Sequence, residues 1–130
     1  MDTFSQVTEQ IGQNGRRGAL MISISDIHPD LEKFITVKSD LNKVNYANIS
    51  VRISDAFMKA VKEDKDWELR FERNETGEVI SKIVKARDIY KKLCEQNWNY
   101  AEPGMLFWDR INSYNLLSNT KSFKYAGVNP

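Results

Sequence analysis

Gly12-Gln13-Asn14-Gly15-Arg16-Arg17-Gly18 is the densest concentration of recognition chemistry in the 130 residues. Glycines at a spacing of three, Gly12, Gly15 and Gly18, let a backbone turn tightly and approach a ligand closely, because no Cβ intervenes. Arg16 and Arg17 add planar guanidinium donors suited to a phosphate or a base edge. Gln13 and Asn14 add amides that both donate and accept. The stretch is not a Walker A loop, since no Lys-Ser or Lys-Thr follows. It also lacks the preceding strand and the spacing of the dinucleotide fingerprint. Composition and spacing alone leave two readings open, a ligand cradle and an ordinary flexible connection.

A second feature is the alternation from Asn48 to Ser54. Ile49, Val51 and Ile53 share one face, while Asn48, Ser50, Arg52 and Ser54 share the other. A strand covered by helices on both sides is apolar on both sides. The polar face therefore predicts either a barrel lumen or cleft, where side chains meet substrate, or a half-solvated edge strand. His28 lies near Asp26, Asp30 and Glu32, a hard-metal-like group. A lone histidine before a proline is more simply a residue at a helix start, and no metal site is assigned. Cys94 falls on an apolar helical face and reads as a buried, inert core thiol. The run Lys62 to Asp66 reads as a solvated helix end, and Trp98, Tyr100 and Trp108 as core or rim aromatics.

The elements that must position these residues follow from periodicity. Phe4, Val7 and Ile11 recur at helical spacing after the possible caps Asp2 and Thr3, predicting a short amphipathic helix. Ala19 to Ile24 predict a short buried strand. Pro29 suits a first helical position, with Leu31, Phe34 and Ile35 as the apolar stripe of a second helix. Ser54 can cap a third helix that buries Phe57, Met58 and Val61. Trp67, Leu69 and Phe71 alternate, Gly77 marks a turn, and Val79, Ser81 and Ile83 return as a hairpin partner. Ala86 to Asn99 predict a helix with Ile89, Tyr90, Leu93 and Cys94 inward. Pro103-Gly104 ends it, and Met105 to Trp108 predict another strand. From Asn112 onward no periodicity is visible. Strands alternating with helices predict an α/β fold with parallel pairing.

Composition narrows the function classes. A hydrophobic content of 41% suffices for a core, and 28% charged residues are those of a water-soluble domain. Nineteen basic residues against eighteen acidic ones leave a formal charge of +1, which argues against a nucleic-acid partner. The longest apolar runs, such as Ala19 to Ile22, are too short to span a membrane, and the N-terminus lacks the pattern of a signal peptide. One cysteine excludes a disulfide framework. The expected location is cytoplasmic.

Four blocks then carry a resemblance. Gly12 to Met21, His28-Pro29-Asp30-Leu31-Glu32-Lys33-Phe34-Ile35, Asn48 to Met58, and Glu102-Pro103-Gly104-Met105-Leu106-Phe107-Trp108-Asp109-Arg110-Ile111-Asn112 stand in register with the central part of ribonucleotide reductase catalytic chains. Asn129-Pro130 resembles the start of that family's Asn-Pro-Cys-x-Glu motif. The wording is most similar to the adenosylcobalamin-dependent, class II branch, and the resemblance covers nearly the whole chain.

The resemblance implies a ten-stranded α/β barrel, of which residues 1–130 would be an internal piece with no separate domains. It implies radical reduction of ribonucleotides for DNA precursor synthesis, with adenosylcobalamin as cofactor, an external dithiol such as thioredoxin, and deoxynucleotide or ATP effectors. Gly12 to Gly18 would link effector and substrate sites, with Gln13 and Arg17 reading the substrate base beside Asn14, Gly15, Arg16 and Gly18. Asn129 would hydrogen-bond substrate hydroxyls. The family's thiyl cysteine and its glutamate, its redox cysteine pair and its phosphate-binding loop are not in this sequence. These residues alone are therefore expected to be inactive and to need the remainder of the reductase chain. The alternatives are a non-catalytic nucleotide-binding module and one half of a split reductase that needs a partner chain.

Overall fold

The computed structural model describes residues 1–11, 18–40, 42–116 and 120. The helices are α1 (Asp2–Gln10), α2 (Leu31–Thr36), α3 (Asp55–Glu63), α4 (Ala86–Tyr100) and α5 (Trp108–Ser113). The strands are β1 (Met21–Ser25), β2 (Asn48–Ile53), β3 (Asp66–Glu72), β4 (Val79–Lys85) and β5 (Gly104–Phe107). β1, β2 and β5 form a parallel sheet in that order, and β3 and β4 form a separate antiparallel hairpin. This is the expected α/β architecture, with β1 and β5 as the sheet's edges among the described residues. It corresponds to a slice of an α/β barrel rather than a closed one.

The core lies on one face of that sheet. Ile49, Val51 and Ile53 of β2 are buried together with Leu31, Phe34 and Ile35 of α2, Phe57 and Ala60 of α3, and Ile89 and Leu93 of α4; Ile22, Ile24 and Met105 pack against them. The period-2 pattern of β2 thus becomes a helix-covered face and an opposite face that carries the polar residues. β2 hands over directly to α3. The Ser54 hydroxyl accepts the Phe57 N–H at 3.1 Å, the predicted N-cap. The helix ends at Asp64 in the left-handed conformation (φ 55°), inside the charged run.

Four local features differ from the sequence expectation. α1 forms, but Phe4, Val7 and Ile11 face outward, and the helix buries Ser5 and Thr8 instead. Hydrogen bonding explains this: Ser5 Oγ accepts the Tyr46 N–H at 2.9 Å, and the Thr8 hydroxyl donates to the Phe4 carbonyl. Pro29 precedes the first turn of α2 by two residues, and Asp30 occupies the cap position. In the hairpin, Trp67, Leu69 and Phe71 stand opposite Val84, Lys82 and Ile80, so Val79, Ser81 and Ile83 lie on the other face. β5 ends at Phe107, and Trp108 opens α5, a helix that the sequence pattern did not predict.

Lys82 sits among apolar neighbours on the inner face of the hairpin because its ammonium reaches Glu32. Glu32 Oε2 accepts from Lys82 and Oε1 accepts from Lys92 Nζ at 2.9 Å. One carboxylate thereby ties α2 to β4 and α4. The hydrogen bond from Lys82, then that from Lys92, holds the Glu32 carboxyl below its ordinary value.

Candidate functional site: the polar face of the parallel sheet

The face of the sheet turned away from the core is built in rows by strand register. Ser23, Ser50 and Gly104 form one row, Ser25, Arg52 and Leu106 the next, and Met21 stands beside Asn48 at the N-terminal edge. Asn48 and Ser23 are exposed and Arg52 is half-buried. Ser50 is buried, and Gly104 leaves it room: a methyl group at Gly104 would stand 3.0 Å from Ser50 Oγ. Small and polar side chains therefore line a surface that hydroxyls, an amide and a guanidinium equip for hydrogen bonding.

Of the glycine-arginine segment, Gly18 alone is described, and the chain runs from it toward the N-terminal edge of this surface. Gln13, Asn14, Gly15, Arg16 and Arg17 lie outside the described residues, as does Asn129. Gly18 is described, and it presses against α1. A methyl group there would come within 2.7 Å of the Thr8 carbonyl oxygen and 2.9 Å of Thr8 Cγ2. Its glycine identity is thus required by a close approach between backbone segments. Two residues later Leu20 accepts the Asn48 N–H at 2.8 Å, so the chain after Gly18 runs beside the start of β2.

Contacts between residues far apart in sequence frame the same surface. At the N-terminal edge Lys38 pairs with Glu102, Lys38 Nζ also donates to the Ala47 carbonyl at 2.7 Å, and Glu102 accepts the Ile49 N–H at 3.3 Å. At the opposite end the Arg52 guanidinium lies 5.1 Å from the centre of the Trp108 ring. α5, which carries Trp108, is held by Asp109, whose Oδ2 accepts the Asp55 N–H at 2.8 Å. No local pattern announces the pairings of Lys38 and Ile49 with Glu102, of Arg52 with Trp108 or of Asp55 with Asp109, because each spans more than fifty residues.

Two other sequence candidates fall elsewhere. His28 Nδ1 accepts the Asp30 N–H at 3.0 Å and the ring leans on Phe71, with centroids 5.4 Å apart. No group of acidic, histidine or cysteine side chains suited to a metal occurs among the described residues. Cys94 is half-buried rather than fully enclosed, because its helix position lies at the margin of the core. Beside it, hydrogen bonding to the Cys94 thiol pushes the Tyr90 phenol up.

The described residues do not fit a cobalamin. The one histidine is engaged at Nδ1, and its ring is tilted against Phe71 of the hairpin. No helix among them is long and apolar enough to cross a membrane.

Comparison with known proteins places this architecture. The family model for the ribonucleotide reductase barrel domain matches residues 1–126. The chain is 38% identical over 121 residues to the vitamin B12-dependent ribonucleoside-diphosphate reductase of Thermoplasma acidophilum, covering 92% of this chain and 15% of that protein. It is 34% identical to the vitamin B12-dependent ribonucleotide reductase of Streptomyces avermitilis, covering 95% and 15%. A putative ribonucleoside-diphosphate reductase large subunit of frog virus 3 is 31% identical, covering 75% and 17%. The chain thus spans about 15% of the length of the first two relatives. A parallel sheet with one helix-packed face, one polar face and a family match across nearly every residue leads to one conclusion: the chain belongs to the ribonucleotide reductase family and corresponds to a segment of its barrel domain.

Proposed function

We propose that this segment supplies part of the substrate-facing wall of a complete ribonucleotide reductase, which converts ribonucleotides to deoxyribonucleotides for DNA synthesis by radical chemistry. On this reading all 130 residues belong to one barrel domain, and the face bearing Asn48, Ser50 and Arg52 looks into the lumen. The observation that carries the reading is the asymmetry of the sheet. Ile49, Val51 and Ile53 are buried under helices, while the alternate positions hold an amide, a hydroxyl and a guanidinium.

Gly18, the described end of the glycine-arginine segment, leads into β1, where the Leu20 carbonyl meets the Asn48 N–H. In this account the stretch from Gly12 to Gly18, with Asn14, Gly15, Arg16 and Gly18 in it, links effector and substrate sites, Gln13 and Arg17 read the substrate base, and Asn129 positions the ribose hydroxyls. A guanidinium and an amide together offer the donors and acceptors that distinguish base edges. The names of the relatives support adenosylcobalamin as the cofactor of the complete enzyme, held by residues outside those described. Deoxynucleotide and ATP effectors, a dithiol reductant such as thioredoxin, the remainder of the reductase chain and a cytoplasmic location complete the proposal.

The test is deoxyribonucleotide formation by the complete catalytic chain with adenosylcobalamin, a dithiol and each ribonucleotide, beside the 130 residues alone. Product from the complete chain and none from the segment is the expected result. Product from the segment alone, or none from the complete chain, contradicts the reading.

A further inference from the structure

We propose that Arg52, whose guanidinium lies over the Trp108 ring, is an oxyanion-binding residue on the polar face of the sheet. The proposal rests on the barrel reading above, in which that face is enclosed. Arg52 Nε is buried without a hydrogen-bond partner among the described residues. The charge meets an aromatic face, 5.1 Å from guanidinium carbon to ring centre. It makes none of the ion pairs found among the described residues. Its neighbours in register are Ser25 and Leu106, neither of which carries charge.

An arginine does not shed its proton, so burial cannot neutralise it, and enclosed charges are normally paired. The Trp108 ring accepts no hydrogen bond from the guanidinium in its plane, so the contact leaves N–H groups of Arg52 to meet a ligand. A group with two acceptor oxygens, a carboxylate or a phosphate, matches that fork. Four residues separate Arg52 from Asn48 along β2, about 13 Å at the rise of a strand. This site is therefore distinct from the edge at Asn48, where the chain from Gly18 enters β1. The oxyanion has two possible sources, a nucleotide phosphate or an acidic side chain from the rest of the reductase.

The test compares Arg52→Gln and Arg52→Lys with the unaltered complete catalytic chain. Calorimetry reads the affinity for a nucleoside diphosphate and for the free nucleoside. Amide hydrogen exchange reads β2 and β5. Lysine keeps a cation over Trp108 but loses the fork. With phosphate as the source, both variants lose about tenfold or more in diphosphate affinity while nucleoside affinity holds. With a chain carboxylate as the source, both affinities hold and exchange in β2 and β5 accelerates about tenfold in both variants. The proposal is overturned if Arg52→Gln matches the unaltered chain in both readouts. It is equally overturned if Arg52→Lys restores both readouts fully, since the ring contact alone would then account for the residue. Turnover of the unaltered chain is measured alongside. Its absence would remove the reductase reading without touching the binding and exchange results.

Discussion

Asp26 fastens the end of β1 to the start of α3 through Ser54. Its Oδ2 accepts from Ser54 N at 2.7 Å and from Ser54 Oγ at 2.6 Å, with the aspartate buried. The Ser54 hydroxyl is thus donor to Asp26 and acceptor from Phe57 N at once. The Asp26 carbonyl also receives Trp67 Nε1 at 2.9 Å, which draws in the hairpin. A buried carboxylate with two short donors is among the stronger hydrogen-bonding arrangements.

Removing either member should loosen the same junction. Asp26→Ala should cost about 1.5–3 kcal/mol, and Ser54→Ala about 1 kcal/mol as a lost cap. Because the residues share their hydrogen bonds, the double variant should cost less than the sum. Exchange of the Ser54 and Phe57 amides in the complete chain provides the measurement. Strictly additive effects would show that the two residues act separately.

Much of this junction was legible in the sequence. The alternation of β2 and the serine cap of α3 are local signals, and each emerged where its pattern placed it. What stayed hidden depends on partners distant in sequence. Nothing within α1 reveals that Ser5 would receive the Tyr46 amide, so the apolar stripe seemed the natural inner face. Nothing in β4 reveals its register, which pairing with β3 sets, and so Lys82 rather than Ile83 turns inward toward Glu32. The polar face of β2 was visible as a pattern, whereas Trp108 over Arg52 required the fold. The roles proposed for Gln13, Arg17 and Asn129 rest on family resemblance, since their residue types alone suit many loops.

Glu32 gives a pH signature. Its folded-state carboxyl lies below the ordinary value of 4.5 because Lys82 and Lys92 bond to the ionised form. Its contribution is therefore fully present above the unfolded value and is lost as pH falls through the lowered folded value. Both lysines are partly exposed, so solvent screening limits Glu32→Gln to about 0.5–1 kcal/mol at neutral pH. Exchange in α2 and β4 should differ between variant and parent at pH 7 and converge in acid. A difference that persists undiminished in acid would assign the effect to packing.

Gly18→Ala should drive a methyl group into the backbone of α1, whose Thr8 carbonyl stands 2.7 Å from that position. Overpacking of this kind costs about 1–3 kcal/mol. Faster exchange or proteolysis confined to α1 is the expected readout. An unchanged α1 would show that the close approach is easily relieved.

The 130 residues by themselves should associate or aggregate. Phe4 and Ile11 are 64% and 65% exposed on one face of α1, and β1 and β5 leave open sheet edges among the described residues. Exposed apolar stripes and unpaired edges invite intermolecular contact. Light scattering of the purified segment checks this. A monodisperse monomer with a sharp cooperative melt would mark an autonomous domain and favour a nucleotide-binding module.

The central claim, that the glycine-arginine segment selects the substrate of a ribonucleotide reductase, is tested most directly at Arg17. The measurement is relative kcat/KM of the complete enzyme on the four ribonucleotides, with and without each deoxynucleotide effector, for the unaltered chain and Arg17→Ala. Loss of a charged hydrogen-bonding partner corresponds to about 1.5–3 kcal/mol, roughly a ten- to hundredfold effect. The account predicts a loss of that size falling unequally among the substrates, together with a blunted effector response. A uniform change within about 0.5 kcal/mol, the size expected of a solvated surface residue, with the specificity pattern intact, would contradict it.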